Sequence, residues 1–194
     1  MSYSNDWFSG NIPTWTSLFS GQAGKDGLEF LEIGCYEGMA TNWLCRYVLT
    51  GANCRMTVVD TFEGSIEHKS DVAPTDFSQV EANFRENLAE FIDNGLVDVF
   101  RNKSQDYLRE LSAPRFDFIY IDGSHTAPDV LADAVLAWPL LKSGGMLIFD
   151  DYEWVGYPNQ PELNPKLAID SFLAVMAGQF ELLHKAYQVA IRKL

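Results

Sequence analysis

Residues 28–38 read LEFLEIGCYEG, and this stretch decides the fold. A short apolar run ends in a turn bracketed by Gly34 and Gly38, and a helical pattern follows directly. A strand, a glycine turn and a helix in this order are typical of the opening unit of a parallel α/β sheet. Glycine lets a ligand approach the main chain closely, and the next helix begins with free N–H groups. We therefore predict a ligand-binding turn at the end of the first strand.

The rest of the chain alternates between strand and helix patterns. Strands are expected at 28–33, 55–60, 96–100, 116–121, 146–149, 180–186 and 188–193, helices at 39–49, 77–92, 104–111, 128–141 and 163–177, and a turn at 143–145. The run FDFIYI at 116–121 is apolar on both faces, as in an interior parallel strand. The chain is therefore predicted to be an α/β protein with a mostly parallel sheet of seven strands, covered by helices on both faces.

The N-terminal part of the chain does not follow this alternation. Residues 1–26 carry several glycines and a proline, which predicts loop, and they are rich in aromatic side chains. We divide the chain into an aromatic-rich segment, residues 1–27, which is a candidate lid, and one domain, residues 28–194.

Composition narrows the classes of partner. A net charge of −13 repels phosphate backbones and anionic membrane surfaces, so we expect neither nucleic acid nor membrane as a partner. The chain has neither an apolar run long enough to span a membrane nor a basic, apolar secretory start. The three cysteines, Cys35, Cys45 and Cys54, fit no disulfide or metal spacing and indicate reduced, packed thiols in a cytoplasmic protein.

Acidic residues close several of the predicted strands. In parallel α/β sheets, ligands bind beyond the carboxyl ends of the strands. Asp60 ends the second strand, where a carboxylate can accept hydrogen bonds from both ribose hydroxyls of a nucleoside. Asp122 follows the fourth strand, and Asp150 and Asp151 follow the fifth. Because these two strands are expected to be neighbours, their carboxylates should meet at one edge of the sheet.

Three clustered carboxylates repel one another, and a divalent cation removes that repulsion. Mg²⁺ favours carboxylates together with water and substrate oxygens, and it would acidify a bound hydroxyl. His125 lies three residues after Asp122, and histidine titrates near neutral pH, so it is the candidate general base. The alternatives are a structural histidine and an aspartate pair that only caps or hydrogen-bonds the main chain.

EIGCYEG (32–38), VVDTFEGSIEH (58–68) and FDFIYIDGSH through MLIFDDY (116–152) occur in order at fitting spacings. Over residues 28–152 the chain resembles the class I S-adenosylmethionine-dependent methyltransferases. Within them it is similar to the metal-dependent small-molecule O-methyltransferases, including the macrolide sugar O-methyltransferases, and more distantly to catechol O-methyltransferase. The resemblance implies a Rossmann-like sheet with an antiparallel last strand.

The resemblance also implies roles for individual residues. The turn that holds the methionine part of the cofactor would be formed by Glu32, Gly34, Cys35, Tyr36 and Gly38. Asp60 would bind the ribose, Thr61 and Phe62 would flank the adenosine, and Ser104 would lie near adenine. The metal would be held by Asp122, Asp150 and Asp151, with Asp122 also in the cofactor site, and His125 would be the base. Two departures stand out. Tyr36 replaces a glycine common in the superfamily, and Asp150 stands where some relatives carry glutamate.

The expected activity is Mg²⁺-assisted O-methylation of a small-molecule acceptor, a sugar or a phenol. The loop 61–76, the N-terminal aromatics and Tyr152, Trp154 and Tyr157 are expected to form a lid and acceptor pocket, with a mobile loop at 157–165. His68 and Glu67 are candidate site residues, although exposed polar loop groups are commonly only solvated.

Other functions stay open at this stage. These are methylation of nitrogen or carbon, a catalytically inactive cofactor-binding relative, and a nicotinamide-dependent oxidoreductase, which the missing G-x-G-x-x-G pattern disfavours. The exposed final strand and the aromatic N-terminus are the expected surfaces of a homo-oligomer.

Overall fold

A single seven-stranded sheet organises the chain, in the strand order β3-β2-β1-β4-β5-β7-β6. The computed structural model describes residues 2–66, 68–69 and 75–194. The strands are β1 Glu29–Ile33, β2 Arg55–Asp60, β3 Val97–Arg101, β4 Phe116–Ile121, β5 Leu141–Phe149, β6 Phe180–Lys185 and β7 Val189–Lys193. The first five strands pair in parallel, and β7 runs antiparallel to both of its neighbours. The predicted fold class, including the antiparallel last strand, is confirmed.

Helices cover both faces of the sheet. They are α1 Ile12–Leu18, α2 Met39–Tyr47, α3 Val80–Asn87, α4 Ala89–Asp93, α5 Ser104–Arg109, α6 Ala127–Ala137 and α7 Pro165–Val175, with short 3₁₀ helices at Ser9–Asn11, Trp138–Leu140 and Pro161–Leu163. Two apolar clusters fill the space between the helices and the sheet, one on each face. Phe30 belongs to one cluster while its neighbour Leu31 belongs to the other, because successive strand residues point to opposite faces.

The strand order reverses between β1 and β4, and this reversal opens a crevice at their carboxyl ends. The pairing register is even across the crevice: Ile33 lies opposite Val59 on one side and Ile121 on the other. Ile121 in turn pairs with Phe149. The residues that follow these four positions therefore emerge at one edge of the sheet.

The N-terminal segment is packed onto the sheet and contains a helix. The prediction of loop over residues 1–26 is therefore wrong for α1. Trp15 is 0% exposed, and its indole Nε1 donates a hydrogen bond to Oε1 of Gln188 at 2.7 Å. Pro13 lies in the first turn of α1, where its missing N–H leaves no bond unmade. Burial of the aromatic side chains stabilises the helix in this segment more than the glycine-rich composition disfavours it.

Three other elements differ from the predicted boundaries by more than two residues. The helix expected over 77–92 is two helices, α3 and α4, which are separated at Leu88. The turn expected at 143–145 lies inside β5, where the left-handed Gly144 accompanies a shift in register against β4. The helix expected over 128–141 ends at Ala137, because Pro139 cannot continue its hydrogen bonding.

The three cysteines are free and buried, in agreement with the prediction of packed thiols. Within the described ranges, every helix is too short or too polar to cross a membrane.

Candidate active site

A cavity of about 810 Å³ lies at the carboxyl ends of the parallel strands. It is lined by residues 6–7, 10–11, 33–36, 59–61, 64–66, 102–105, 122–125 and 150–151, with His68, Thr75, Phe77, Asp129, Asp133, Trp154 and Tyr187. The strand ends, the N-terminal segment and the loop after β2 therefore share one site.

The turn after β1 brings two strand ends into direct main-chain contact. Gly34 has a φ of +77°, and a Cβ placed on it would lie 2.0 Å from the carbonyl oxygen of Asp122. The amide of Asp122 donates to the carbonyl of Ile33 at 2.8 Å. Only glycine satisfies both the left-handed backbone and this approach. The cavity floor between β1 and β4 is therefore main chain.

Asp60 connects the loop after β1 to the loop after β2. Its Oδ2 accepts the amides of Cys35 at 2.8 Å and Tyr36 at 3.3 Å, and its Oδ1 accepts the amide of Phe62 at 2.8 Å. Tyr36 and Phe62 both adopt left-handed backbone conformations. An ionised carboxylate offers about four acceptor positions, so acceptor capacity remains for a ligand.

Three of the predicted cofactor residues support the cavity without lining it. Glu32 is buried and accepts a hydrogen bond from the hydroxyl of Thr41, and burial, reinforced by the Asp60 carboxylate, raises the pKa of Glu32 to about 8. Gly38 caps α2 in a left-handed conformation. Phe62 is buried against Phe84. Of the other predicted cofactor residues, Gly34, Cys35, Tyr36, Asp60, Thr61, Ser104 and Asp122 line the cavity.

Asp122, His125 and Asp151 form the acidic cluster at the other end of the cavity. One potential metal-ligand atom from each residue lies within 4.8 Å of those of the other two. Nε2 of His125 is 2.7 Å from Oδ2 of Asp151, whose Oδ1 accepts the hydroxyl of Tyr187 at 2.8 Å. Burial, together with the neighbouring carboxylates of Asp150 and Asp151, raises the pKa of Asp122 well above its usual range.

Asp150, a predicted metal ligand, lies outside this three-residue cluster, because its carboxylate accepts hydrogen bonds from buried side chains. Oδ2 accepts the hydroxyl of Tyr120 and Nε2 of Gln188 (2.9 Å), and Oδ1 accepts the amide of Asp151 at 2.8 Å. Burial raises the pKa of Asp150 to about 6. The Asp150 carboxylate is directed at Tyr120 and Gln188, whereas the Asp151 carboxylate is directed at His125.

One buried acid in the cavity wall, Asp133, was missed by the sequence analysis. Ser104 lies where it was predicted, at the cavity wall after β3, and its Oγ donates to Oδ1 of Asp133 at 2.7 Å. Gln105 Nε2 donates to the same oxygen at 3.0 Å. Burial raises the pKa of Asp133 to about 7. The available signal was its position, three residues after the buried Val130 on the inner face of α6.

Aromatic and imidazole rings form a rim around the cavity mouth. Trp154 stacks on His125 with ring centroids 4.9 Å apart, and His68 meets His125 edge-on at 5.6 Å. Trp7 of the N-terminal segment lies 6.5 Å from His68. The aromatic rings expected from the N-terminal segment and from the chain after β5 therefore meet at one opening.

Other predicted pocket residues lie elsewhere. Tyr152 is buried, and its hydroxyl donates to Asp170 on α7, away from the cavity lining. Tyr157 contacts Trp154 at 5.4 Å, and its loop is closed by Asn164, which bonds both the amide and the carbonyl of Tyr157. Glu67 falls outside the residues that the structure describes.

The sheet order, the glycine turn after β1 and the acid that closes β2 together define a class I methyltransferase fold. The chain belongs to the methyltransferase-domain family, whose model matches residues 31–152.

Individual relatives are distant in sequence. The chain is 24% identical over 162 residues to the uncharacterised protein R132 of Acanthamoeba polyphaga mimivirus, a match that covers 80% of this chain and 64% of that protein. It is also similar to an O-methyltransferase from Bacillus cereus in complex with SAH (TM-score 0.64, 19% identity, 100% of this chain and 84% of that one). A third similar protein is the O-methyltransferase TomG from Streptomyces achromogenes, involved in tomaymycin synthesis and in complex with SAM (TM-score 0.61, 19% identity, 93% and 77%).

Proposed function

We propose that the protein transfers a methyl group from S-adenosylmethionine to a hydroxyl oxygen of a small molecule, assisted by a divalent cation. One observation carries this proposal: a single cavity joins Asp60 to the cluster of Asp122, His125 and Asp151. A donor site and a deprotonation site in one cavity are what methyl transfer to oxygen requires, because the nucleophile must lie in line with the sulfonium methyl.

The donor fits the glycine-turn side of the cavity. Asp60 retains acceptor capacity for ribose hydroxyls, and Gly34 and Cys35 line the cavity beside it, where the amino-acid part would lie. Similar folds that bind SAH in the Bacillus cereus protein and SAM in the Streptomyces protein add support.

His125 is the proposed general base. Its Nε2 lies within hydrogen-bond distance of Asp151, so this carboxylate orients the ring and would stabilise the imidazolium that forms when a proton is accepted. Tyr187 holds the same carboxylate from the other side. The pair is therefore oriented before an acceptor arrives.

The acidic cluster fits a divalent cation. Asp122 and Asp151 would supply carboxylate oxygens, and Mg²⁺ commonly binds through one or two carboxylates while keeping several waters. When bound, such an ion supplies Lewis-acid charge that makes a hydroxyl easier to deprotonate. If His125 were a third ligand, the mixed nitrogen and oxygen set would favour Mn²⁺, Co²⁺ or Zn²⁺ instead.

The cavity's charge and rim limit the acceptor. Among the residues that the structure describes, its lining contains seven aspartates against one lysine, Lys103, which disfavours phosphorylated or otherwise anionic acceptors. The rings of Trp7, His68 and Trp154 favour an acceptor with a flat face, a phenol or a sugar. The proposed acceptor is therefore an uncharged or cationic ring compound that carries a hydroxyl.

Calorimetry with S-adenosylhomocysteine tests the donor first, with NAD⁺ as the matched negative ligand. Turnover is then measured with the methyl donor and a panel of phenols and sugars, in EDTA and after adding Mg²⁺ or Mn²⁺. We expect binding of S-adenosylhomocysteine alone and activity that EDTA abolishes and Mg²⁺ restores. The absence of measurable affinity for S-adenosylhomocysteine would overturn the proposal, and full activity in EDTA would remove the metal from it.

A further inference from the structure

Asp133 has an unusual position for an acid on a helix. It is 2% exposed, yet it lines the cavity at the wall where α5 begins. Its Oδ1 accepts two hydrogen bonds, from Ser104 and Gln105. Its Oδ2 accepts none from a described residue, and a Cβ placed on Gly123 would lie 3.8 Å from it. This oxygen is accessible from the cavity, so a bound ligand can supply its hydrogen-bond donor.

The side chains around Asp133 present mainly hydrogen-bond acceptors to the cavity. The Ser104 hydroxyl and one of the two N–H groups of Gln105 donate to Oδ1, so one Gln105 N–H is the only side-chain donor that these three residues have left. Because the Gln105 amide nitrogen faces a carboxylate, its Oε1 is turned the other way. The wall therefore presents Oδ2 of Asp133 and Oε1 of Gln105, which matches a ligand that donates hydrogen bonds.

This part of the inference rests on the proposed function. If Asp60 at the end of β2 holds the ribose, the base lies toward the next strand end, β3, and toward Ser104 and Gln105 directly after it. We propose that Asp133 is a specificity-determining residue that accepts a hydrogen bond from the 6-amino group of the donor's adenine. A 6-oxo base would place its own acceptor oxygen opposite these acceptor oxygens, so the site should bind it more weakly.

The test compares S-adenosylhomocysteine with its 6-oxo analogue, S-inosylhomocysteine, by calorimetry on the intact protein. The measurement is made at pH 8, above the pKa of about 7 to which burial raises Asp133, so that the carboxylate is ionised. We expect the wild-type protein to bind the oxo analogue at least roughly tenfold more weakly. In Asp133→Asn the amide can donate to the oxo group, so the preference should shrink to a few-fold or reverse.

Asp106→Asn is the matched control. Asp106 lies on α5 beside Gln105, but its exposed side chain pairs with Arg109 and lies outside the cavity lining. This variant should keep the wild-type discrimination.

Each outcome separates the two proposals. Equal affinity of the wild-type protein for both nucleosides overturns the role of Asp133 and leaves the proposed function intact. Unchanged discrimination in a folded Asp133→Asn protein overturns it as well. If neither nucleoside binds the wild-type protein, the proposed function itself fails. The wild-type comparison needs no variant, and Gln105→Leu, which should also weaken the discrimination, serves if Asp133→Asn does not fold.

Discussion

Nε2 of His125 lies 2.7 Å from Oδ2 of Asp151, and the Tyr187 hydroxyl donates to the other oxygen of that carboxylate. Asp151 itself has a left-handed backbone, and its amide bonds to the carboxylate of Asp150. The orientation of the imidazole is therefore fixed by a carboxylate that is held from both ends.

His125→Ala should lower turnover by roughly 10²–10⁴-fold, the usual contribution of a positioned general base. Affinity for S-adenosylhomocysteine should be little changed, since the ring lies at the acidic end of the cavity. His184→Ala, on β6 and outside the cavity lining, is the control and should leave turnover unchanged. Undiminished turnover in His125→Ala would exclude the proposed role.

Asp150→Asn should lower mainly stability and Asp151→Asn mainly activity, although the two residues are adjacent. An amide at position 150 cannot accept from Tyr120 and Gln188 on one side and from the amide of Asp151 on the other. We expect the free energy of unfolding to fall by about 1–3 kcal/mol in Asp150→Asn.

Asp151→Asn should instead lose activity with little change in stability, because it removes a carboxylate from a crowded acidic cluster. Urea unfolding and turnover measured on both proteins check this pair. Equal loss of stability in the two variants would contradict the assignment of Asp150 to the interior.

Gly34→Ala should destabilise the protein more than Gly178→Ala. Both glycines have left-handed backbones, with φ of +77° and +82°, but only Gly34 has main-chain atoms where a methyl group would go. The left-handed conformation costs about 1–2 kcal/mol in each variant. Overpacking against Asp122 should add about 1–3 kcal/mol at Gly34 alone.

Urea midpoints at constant m-value give the difference, and S-adenosylhomocysteine affinity should fall only in Gly34→Ala. Equal midpoints for the two variants would show that the β1–β4 contact yields readily.

Stability should decrease as the pH rises from about 4.5 to about 8, and Glu32 should account for part of that slope. Burial raises the pKa of Glu32 from 4.5 to about 8, so in this window the folded protein holds a proton that the unfolded chain has released. The free energy of unfolding therefore falls by up to about 1.4 kcal/mol per pH unit for this group.

Glu32→Gln keeps an acceptor for Thr41 and removes the titration, so its stability should depend less on pH and exceed that of the wild-type protein at pH 8. Thermal melting of both proteins between pH 5 and pH 8 is the measurement. Parallel pH profiles would mean that Glu32 has an ordinary pKa in the folded protein.

The sheet was predictable because its signals are local. The apolar runs that precede Asp60, Asp122 and Asp150 mark three parallel strands, and in this fold class the carboxyl ends of such strands meet at one edge of the sheet. The different contacts of the two carboxylates, Asp150 with buried side chains and Asp151 with His125, were not predictable in the same way. It depends on Gln188, which the fold brings to Asp150 from 38 residues away.

The same limit applies to α1 and to Asp133. The composition around Trp15 indicates loop, and only its long-range packing makes that segment helical. Asp133 sits in an apolar helical pattern, where one acid says little until its partners Ser104 and Gln105 are known.

The Trp15–Gln188 hydrogen bond joins positions 173 residues apart, and Gln188 also contacts the carboxylate of Asp150. A growing chain on the ribosome therefore cannot finish the support beneath Asp151 until Gln188 has been synthesised. Nascent chains that end before Gln188 would leave a buried indole and a buried acid without this shared partner, so donor capture should begin only after Gln188 has emerged from the ribosome.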